Sequence, residues 1–250
     1  MNSSHPHRSD DRLIVALDFS SRAEAEKLVG QLGERVRFYK IGYELFYGGD
    51  GLALGTELTR AGKKVFFDLK LLDIDNTVAK GVAAIAATGA SMLTIHGYPG
   101  AMRAAAEAAR GSDLEVLAVS VLTSMDDNDL MEAGYDRDVE SLVGLRAYQA
   151  KEAGMDGVVC SAFEAALVRR MTEGKLKIVA PGIRPEGEDF GDQKRAVTPG
   201  DALSWGATHL VVGRPITRAV DPVAALFKIE EEMIAADALK EDKEKDDPEK

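Results

Sequence analysis

Eight short apolar runs, each followed by a segment with helical or loop character, constrain this chain more than any other feature. They fall at residues 13–19, 37–42, 64–70, 92–97, 115–122, 157–162, 177–182 and 209–215. Each is rich in Val, Ile or Leu, as parallel strands covered on both faces should be. Helical signals lie between them. Ser20 or Ser21 can cap a helix through about Leu32, with Gly33 as its stop. Residues 101–110 are Ala-rich and end at Gly111, and 139–153 end at Gly154. Residues 162–171 and 201–205 read as shorter helices, and Asp221 with Pro222 opens a last one, proline being tolerated at a first helical position. Eight β-then-α units in roughly 230 residues predict an α/β protein of a single domain, a (β/α)8 TIM barrel. The rival is a doubly wound sheet, which carries a Gly-rich phosphate turn after its first strand. Asp18-Phe19-Ser20-Ser21 stands there instead, and no G-x-x-x-x-G-K-[ST] occurs elsewhere.

Bulk properties narrow the function classes. A length of 250 residues suits one large α/β domain or two small ones, but no internal linker divides the chain. The net charge of −11 argues against a nucleic-acid partner. Cys160 is the one cysteine, which excludes an intramolecular disulfide and fits a reducing, cytoplasmic setting. No apolar run has membrane-spanning length, so no membrane partner is expected. Residues 1–11 are polar without an apolar signal core and read as a flexible leader. The barrel is expected over 12–238, and 239–250, nearly all charged, as a disordered tail.

Barrel active sites sit at the C-terminal ends of the strands. Those ends carry Asp18 on strand one, Lys40 on strand two, Asp68 and Lys70 on strand three, and His96 on strand four. Ser120 and Thr123 follow strand five, Pro181-Gly182 ends strand seven, and Gly213-Arg214 ends strand eight. Asp68-Leu69-Lys70-Leu71-Leu72-Asp73 is the densest piece. Alternation on a strand turns Asp68 and Lys70 to one face, with Asp73 just beyond in a loop. A solvated ion-pair cluster is the bland reading, and a site that manages charge is the other. One such pair at about 4 Å and an effective dielectric near 20 is worth about 4 kcal/mol. Two flanking acids favour an ammonium at Lys70. That suits a proton donor or anion clamp and disfavours a Schiff base.

Pro181-Gly182-Ile183-Arg184 and Gly213-Arg214 read as a phosphate grip, since the loops after strands seven and eight are the usual phosphate site of barrels. Either arginine alone would more often be a surface ion pair. The loop at 183–198, which includes Gln193, is long enough for a mobile lid. His96 reads first as a hydrogen-bonded rim residue and second as an acid or base. His209 opens a strand at the opposite end and reads as structural. Tyr39, Tyr43, Phe46 and Tyr47 read as packing, and Cys160 as a core thiol. No two histidines or cysteines have metal-ligand spacing. An Asp-based Mg²⁺ site stays open, though Lys40 and Lys70 would compete with the cation.

These residues, in this order, resemble the orotidine 5′-monophosphate decarboxylase family. The likeness runs from about Leu13 to Ala219 and rests on six ordered pieces: Ala16-Leu17-Asp18, Lys40-Ile41-Gly42, the segment from Asp68 to Val78, Ala180-Pro181-Gly182-Ile183-Arg184, Asp192-Gln193-Lys194-Arg195 and Val212-Gly213-Arg214-Pro215-Ile216. The resemblance implies decarboxylation of orotidine 5′-monophosphate to uridine 5′-monophosphate without metal or cofactor, as the last step of pyrimidine nucleotide synthesis. It implies that Lys70 protonates C6, that Asp68 lies beside the substrate carboxylate, and that Lys40 neutralises and positions it. It implies ribose binding by Asp18 and a pyrimidine contact by Thr123. Gln193 would bridge base and phosphate, and Pro181, Arg184, Gly213 and Arg214 would line the phosphate site. It further implies a homodimer in which Asp73 and Thr77 reach into the partner's site. Many relatives have His where this chain has Leu72, and Pro or Gly where it has Asp75. Sugar-phosphate enzymes on the same barrel share D-x-K-x-x-D but need Mg²⁺ and carry an acid at the place of Lys40. A non-catalytic nucleotide-binding barrel is the reading from another class.

Overall fold

The computed structural model of the protein describes residues 10–187 and 197–246. Strands β1 (Leu13–Ala16), β2 (Phe38–Ile41), β3 (Lys64–Leu71), β4 (Met92–His96), β5 (Glu115–Val119), β6 (Gly157–Val159), β7 (Lys177–Ala180) and β8 (His209–Val212) close into a parallel barrel in chain order. Closure is direct: Leu13, Ile14 and Val15 of β1 pair with Leu210, Val211 and Val212 of β8. This is the (β/α)8 TIM barrel expected from the eight apolar runs.

The helices are α1 (Arg22–Leu32), α2 (Tyr43–Gly48), α3 (Gly51–Arg60), α4 (Asp75–Ala86), α5 (Pro99–Ala109), α6 (Asp127–Glu132), α7 (Val139–Ala153), α8 (Ala165–Met171), α9 (Pro199–Ser204), α10 (Arg214–Thr217) and α11 (Pro222–Asp246). Local chemistry sets their ends as anticipated. Ser21 accepts the Glu24 N–H at the start of α1, and Gly154 ends α7 at φ 79°, a left-handed turn that glycine adopts without strain. Thr198 caps α9, accepting the Asp201 N–H ahead of Pro199 at the first helical position. That places the helix two residues before the apolar pattern suggests. The last helix runs on into the charged tail, where Glu, Lys and Ala favour helix. Among the described residues no helix is long and apolar enough to cross a membrane.

Two cores follow from alternation along the strands. Inward residues Ile14, Ala16, Phe38, Phe66, Met92, Leu117, Val179 and Val211 fill the barrel, with Val159 against them. The intervening residues, such as Val15, Tyr39, Phe67 and Leu93, join the larger core between strands and helices. The inner set ends in apolar residues partway up the barrel. The next inward positions towards the C-terminal rim are Asp18, Lys40, Asp68 and Thr94, so polar groups begin where the apolar plug stops.

Candidate active site

β3 brings Asp68 and Lys70 to the rim, but not as a regular strand. Its pairing with β4 shifts register between Phe67 and Leu71, and Lys70 has φ 44°. A non-glycine residue in that region is uncommon, and such strain concentrates at functional sites. The distortion is held from β4: Thr94 Oγ1 accepts the Lys70 N–H at 2.9 Å and donates to Asp68 Oδ1 at 2.9 Å. Tyr43 fixes the other side. Its hydroxyl donates to the Leu69 carbonyl at 3.0 Å, and the Lys70 ammonium lies 5.3 Å from its ring centroid. Tyr43 therefore does more than pack, contrary to the sequence expectation, while Tyr39 is fully buried in the outer core.

Four charges form a continuous row across three strands. Lys70 Nζ meets Asp68 Oδ2 at 2.8 Å, Asp68 Oδ2 lies 3.9 Å from Lys40 Nζ, and Lys40 Nζ donates to Asp18 Oδ1 at 2.8 Å. Side-chain exposure is 50% at Asp18 but only 17% at Asp68 and 10% at Lys40, so solvent screens the inner pairs least. Buried charges of both signs require this mutual pairing. The row extends to β8, because a methyl group on Gly213 would lie 3.6 Å from Asp18 Oδ2. Gly42 keeps the other flank open, since a methyl group there would come within 3.2 Å of Lys40 Nζ and 3.3 Å of Asp18 Oδ1.

The remaining predicted residues fall around this row or away from it. Thr123 follows β5 and is half-buried. Pro181 follows β7, and a bridge between Ile183 and Val197 closes the base of the next loop. Arg184 is 6% exposed; its backbone N–H donates to the Val197 carbonyl at 2.9 Å, and its Nη1 to the Ile183 carbonyl at 2.8 Å. Arg214 is the first residue of α10, with Gly213 as its cap. Gln193 lies outside the described residues. Asp73 and Thr77 are exposed, and among the described residues neither is an ion-pair or hydrogen-bond partner of the four charges in the row. Asp73 Oδ1 accepts the N–H of Ile74 at 2.7 Å, and Leu72 and Ile74 beside it are 50% and 72% exposed. Asp75 opens α4 with its carboxylate beside the start of α5, where a methyl group on Gly100 would lie 3.0 Å from Oδ1. Helix N-termini favour that negative charge.

His96 ends β4. Burial, then the charges of Arg146 and Lys70, push its imidazole below the ordinary histidine value, against an opposing pull from Asp68. These surroundings favour the neutral ring over the imidazolium. Ser120 is fully buried and its hydroxyl donates to the Val159 carbonyl at 2.9 Å, a structural role. Sequence reasoning passes over Thr94 and reads Tyr43 as packing alone. Only the position of Thr94, two before His96 on an inward face, hints at its part.

A closed parallel barrel with an alternating row of lysines and aspartates at the C-terminal rim defines a barrel enzyme whose site manages charge in a confined space. Residues 11–229 match the family described as Orotidine 5′-phosphate decarboxylase / HUMPS family, and the chain belongs to it. Among solved structures it is similar to orotidine 5′-phosphate decarboxylase from Lactobacillus acidophilus, with 36% identity, a TM-score of 0.79, and coverage of 90% of this chain and 99% of that one. It is also similar to an uncharacterized conserved protein from Geobacillus kaustophilus, with 34% identity, a TM-score of 0.77, and coverage of 88% and 99%.

Proposed function

We propose that the protein decarboxylates orotidine 5′-monophosphate to uridine 5′-monophosphate, the last step of pyrimidine nucleotide synthesis, with no metal or cofactor. The observation that carries this reading is the Lys70–Asp68–Lys40–Asp18 row at the barrel mouth. The C6–carboxylate bond breaks, carbon dioxide leaves, and the electron pair stays on C6. No adjacent carbonyl can absorb that pair, so the reaction needs fixed positive charge at the carbon. Lys70 supplies it and transfers a proton to C6, and the lysine then regains a proton from solvent. Asp68 faces the departing carboxylate and holds Lys70 in place. Lys40 balances the charge of Asp68 and Asp18, and Asp18 takes ribose hydroxyls. Thr123 contacts the base, and Gln193 bridges base and phosphate. Pro181, Arg184, Gly213 and Arg214 take the phosphate, whose binding energy supports chemistry at a distant carbon.

The protein works as a homodimer in this reading. Asp73 and Thr77 belong to the partner's site, which accounts for their exposure within one chain and for the exposed Leu72 and Ile74 around them. The buried thiol of Cys160, the one cysteine of the chain, suits a reducing cytoplasm.

The test is ultraviolet absorbance of orotidine 5′-monophosphate turnover in EDTA, for wild type and Lys70→Ala. The expected result is full wild-type turnover and a loss of at least about 10³-fold in the variant. Wild type that is folded yet inactive in EDTA, but active on sugar phosphates with Mg²⁺, refutes the assignment.

A further inference from the structure

Arg146 lies in the middle of α7, yet it is only 9% exposed. Among the described residues no carboxylate forms an ion pair with it. Burying a guanidinium without a carboxylate is costly, so its neutral partners need a reason. Nη1 donates to the Ser120 carbonyl at the end of β5, and Nη2 donates to the Tyr135 hydroxyl at 2.9 Å. The guanidinium is flanked by two rings, 5.4 Å from the Tyr98 centroid and 5.3 Å from that of Tyr135. The two tyrosine hydroxyls meet at 2.9 Å. This clamp is built into the backbone around it. A methyl group on Gly97 would come within 2.8 Å of the Val119 backbone carbonyl, which the chain after β4 avoids by being glycine, and within 3.2 Å of Arg146 Cδ, which lies close against it.

The object held is the exit of β5. Ser120 gives its N–H to the Val159 carbonyl at 3.1 Å and its hydroxyl to the same oxygen at 2.9 Å. Arg146 takes the remaining polar group, the Ser120 carbonyl, and so completes the restraint of this residue. Three residues on stands Thr123. We propose that Arg146 is a positioning residue for the base end of the substrate, fixing through the Ser120 carbonyl the turn that presents Thr123. The inference rests on the reading of Thr123 as a pyrimidine contact. Its charge also acts on His96, immediately before Gly97.

The experiment compares wild type, Arg146→Gln and Arg146→Lys in kcat and KM for orotidine 5′-monophosphate. It adds inhibition by uridine 5′-monophosphate, which carries the base, and by ribose 5-phosphate, which lacks it. Arg146→Gln is expected to weaken uridine 5′-monophosphate about 10-fold, while ribose 5-phosphate inhibits as before, with kcat/KM down by at least about 10-fold. Arg146→Lys, which keeps one donor, should recover part of the loss. If Arg146→Gln does not fold, Tyr135→Phe, which removes one acceptor of the guanidinium, should show the same base-selective loss to a smaller degree. Equal weakening of both inhibitors, or no weakening, overturns the positioning role while leaving the decarboxylase assignment intact. A folded wild type that neither turns over substrate nor responds to uridine 5′-monophosphate overturns both.

Discussion

Thr94 is fully buried in β4, and its one hydroxyl is used twice, as donor to Asp68 and acceptor from the Lys70 N–H. Thr94→Val keeps the shape and removes both bonds. It leaves a buried backbone N–H and an acceptor of Asp68 unsatisfied, which costs about 1–3 kcal/mol in stability. The effect on turnover should exceed what the stability loss explains, because Asp68 and the strained Lys70 lose their shared anchor. A fall of about 10- to 100-fold in kcat is expected, with Thr94→Ser near wild type. Steady-state kinetics beside urea unfolding separates the two effects, and a Thr94→Val enzyme with unchanged kcat refutes the anchoring role. The charge row itself was legible from residue types, since alternation puts Asp18, Lys40, Asp68 and Lys70 on inward positions. Thr94, Tyr43 and Arg146 were not. A threonine in a strand already has a β-forming reason to be there, an aromatic after a strand has packing, and an arginine in a helix has solvent.

At the scale of elements, the connection from β3 to α4 joins two different tasks. Lys70 stands in the row of its own chain, whereas Asp73 and Thr77, three and seven residues further on, are exposed. If the homodimer shares its sites, mixing two inactive variants restores activity. Lys70→Ala and Asp73→Asn each disable every site of their own dimer. Random exchange of subunits makes half of the dimers mixed, and each mixed dimer has one site with both residues intact. Recovery to about a quarter of wild-type activity is expected on unfolding and refolding the pair together. No recovery, with gel filtration showing mixed dimers, refutes the shared site. The β/α alternation that frames this connection was readable from apolar runs alone. The helices α2 and α3 were not, because their stretch carries Gly48, Gly49, Gly51 and Gly55, a composition that argues against helix. Packing overrides that propensity: a methyl group at Gly55 would collide with the buried ring of Phe67, so the close approach of α3 to β3 requires the glycine.

Across the whole molecule, chemistry occupies the C-terminal rim while the opposite end holds groups that link stability to pH. His209 begins β8 at that end, its Nδ1 2.9 Å from Thr208 Oγ1 and its ring edge-on to Phe38 of the inner plug. Burial, helped by Lys177 and Lys64 and opposed by Glu115 and Asp10, lowers its pKa to about 4. Glu230 on α11 is 7% exposed, and burial, then Asp10, raises its carboxyl to about 7 against the pull of Arg35. The two groups act in opposite directions. A histidine with a lowered folded value contributes its full stability above about pH 6.5 and loses it as pH falls towards 4. A glutamate with a raised folded value contributes fully below about pH 4.5 and loses stability as pH rises through 7. Each linkage is worth up to about 3 kcal/mol. Glu230→Gln removes the alkaline penalty and keeps a hydrogen-bonding side chain of similar size. Its Tm should exceed that of wild type at pH 8 and match it, or fall slightly below, at pH 5. Calorimetry from pH 4.5 to 8.5 provides the check. Parallel curves for the two proteins would mean that Glu230 is not the group that titrates, and a Tm gain confined to acid pH would reverse the assigned direction. Activity at saturating substrate should be unchanged throughout, because Glu230 lies on the side of the barrel away from the lysine–aspartate row.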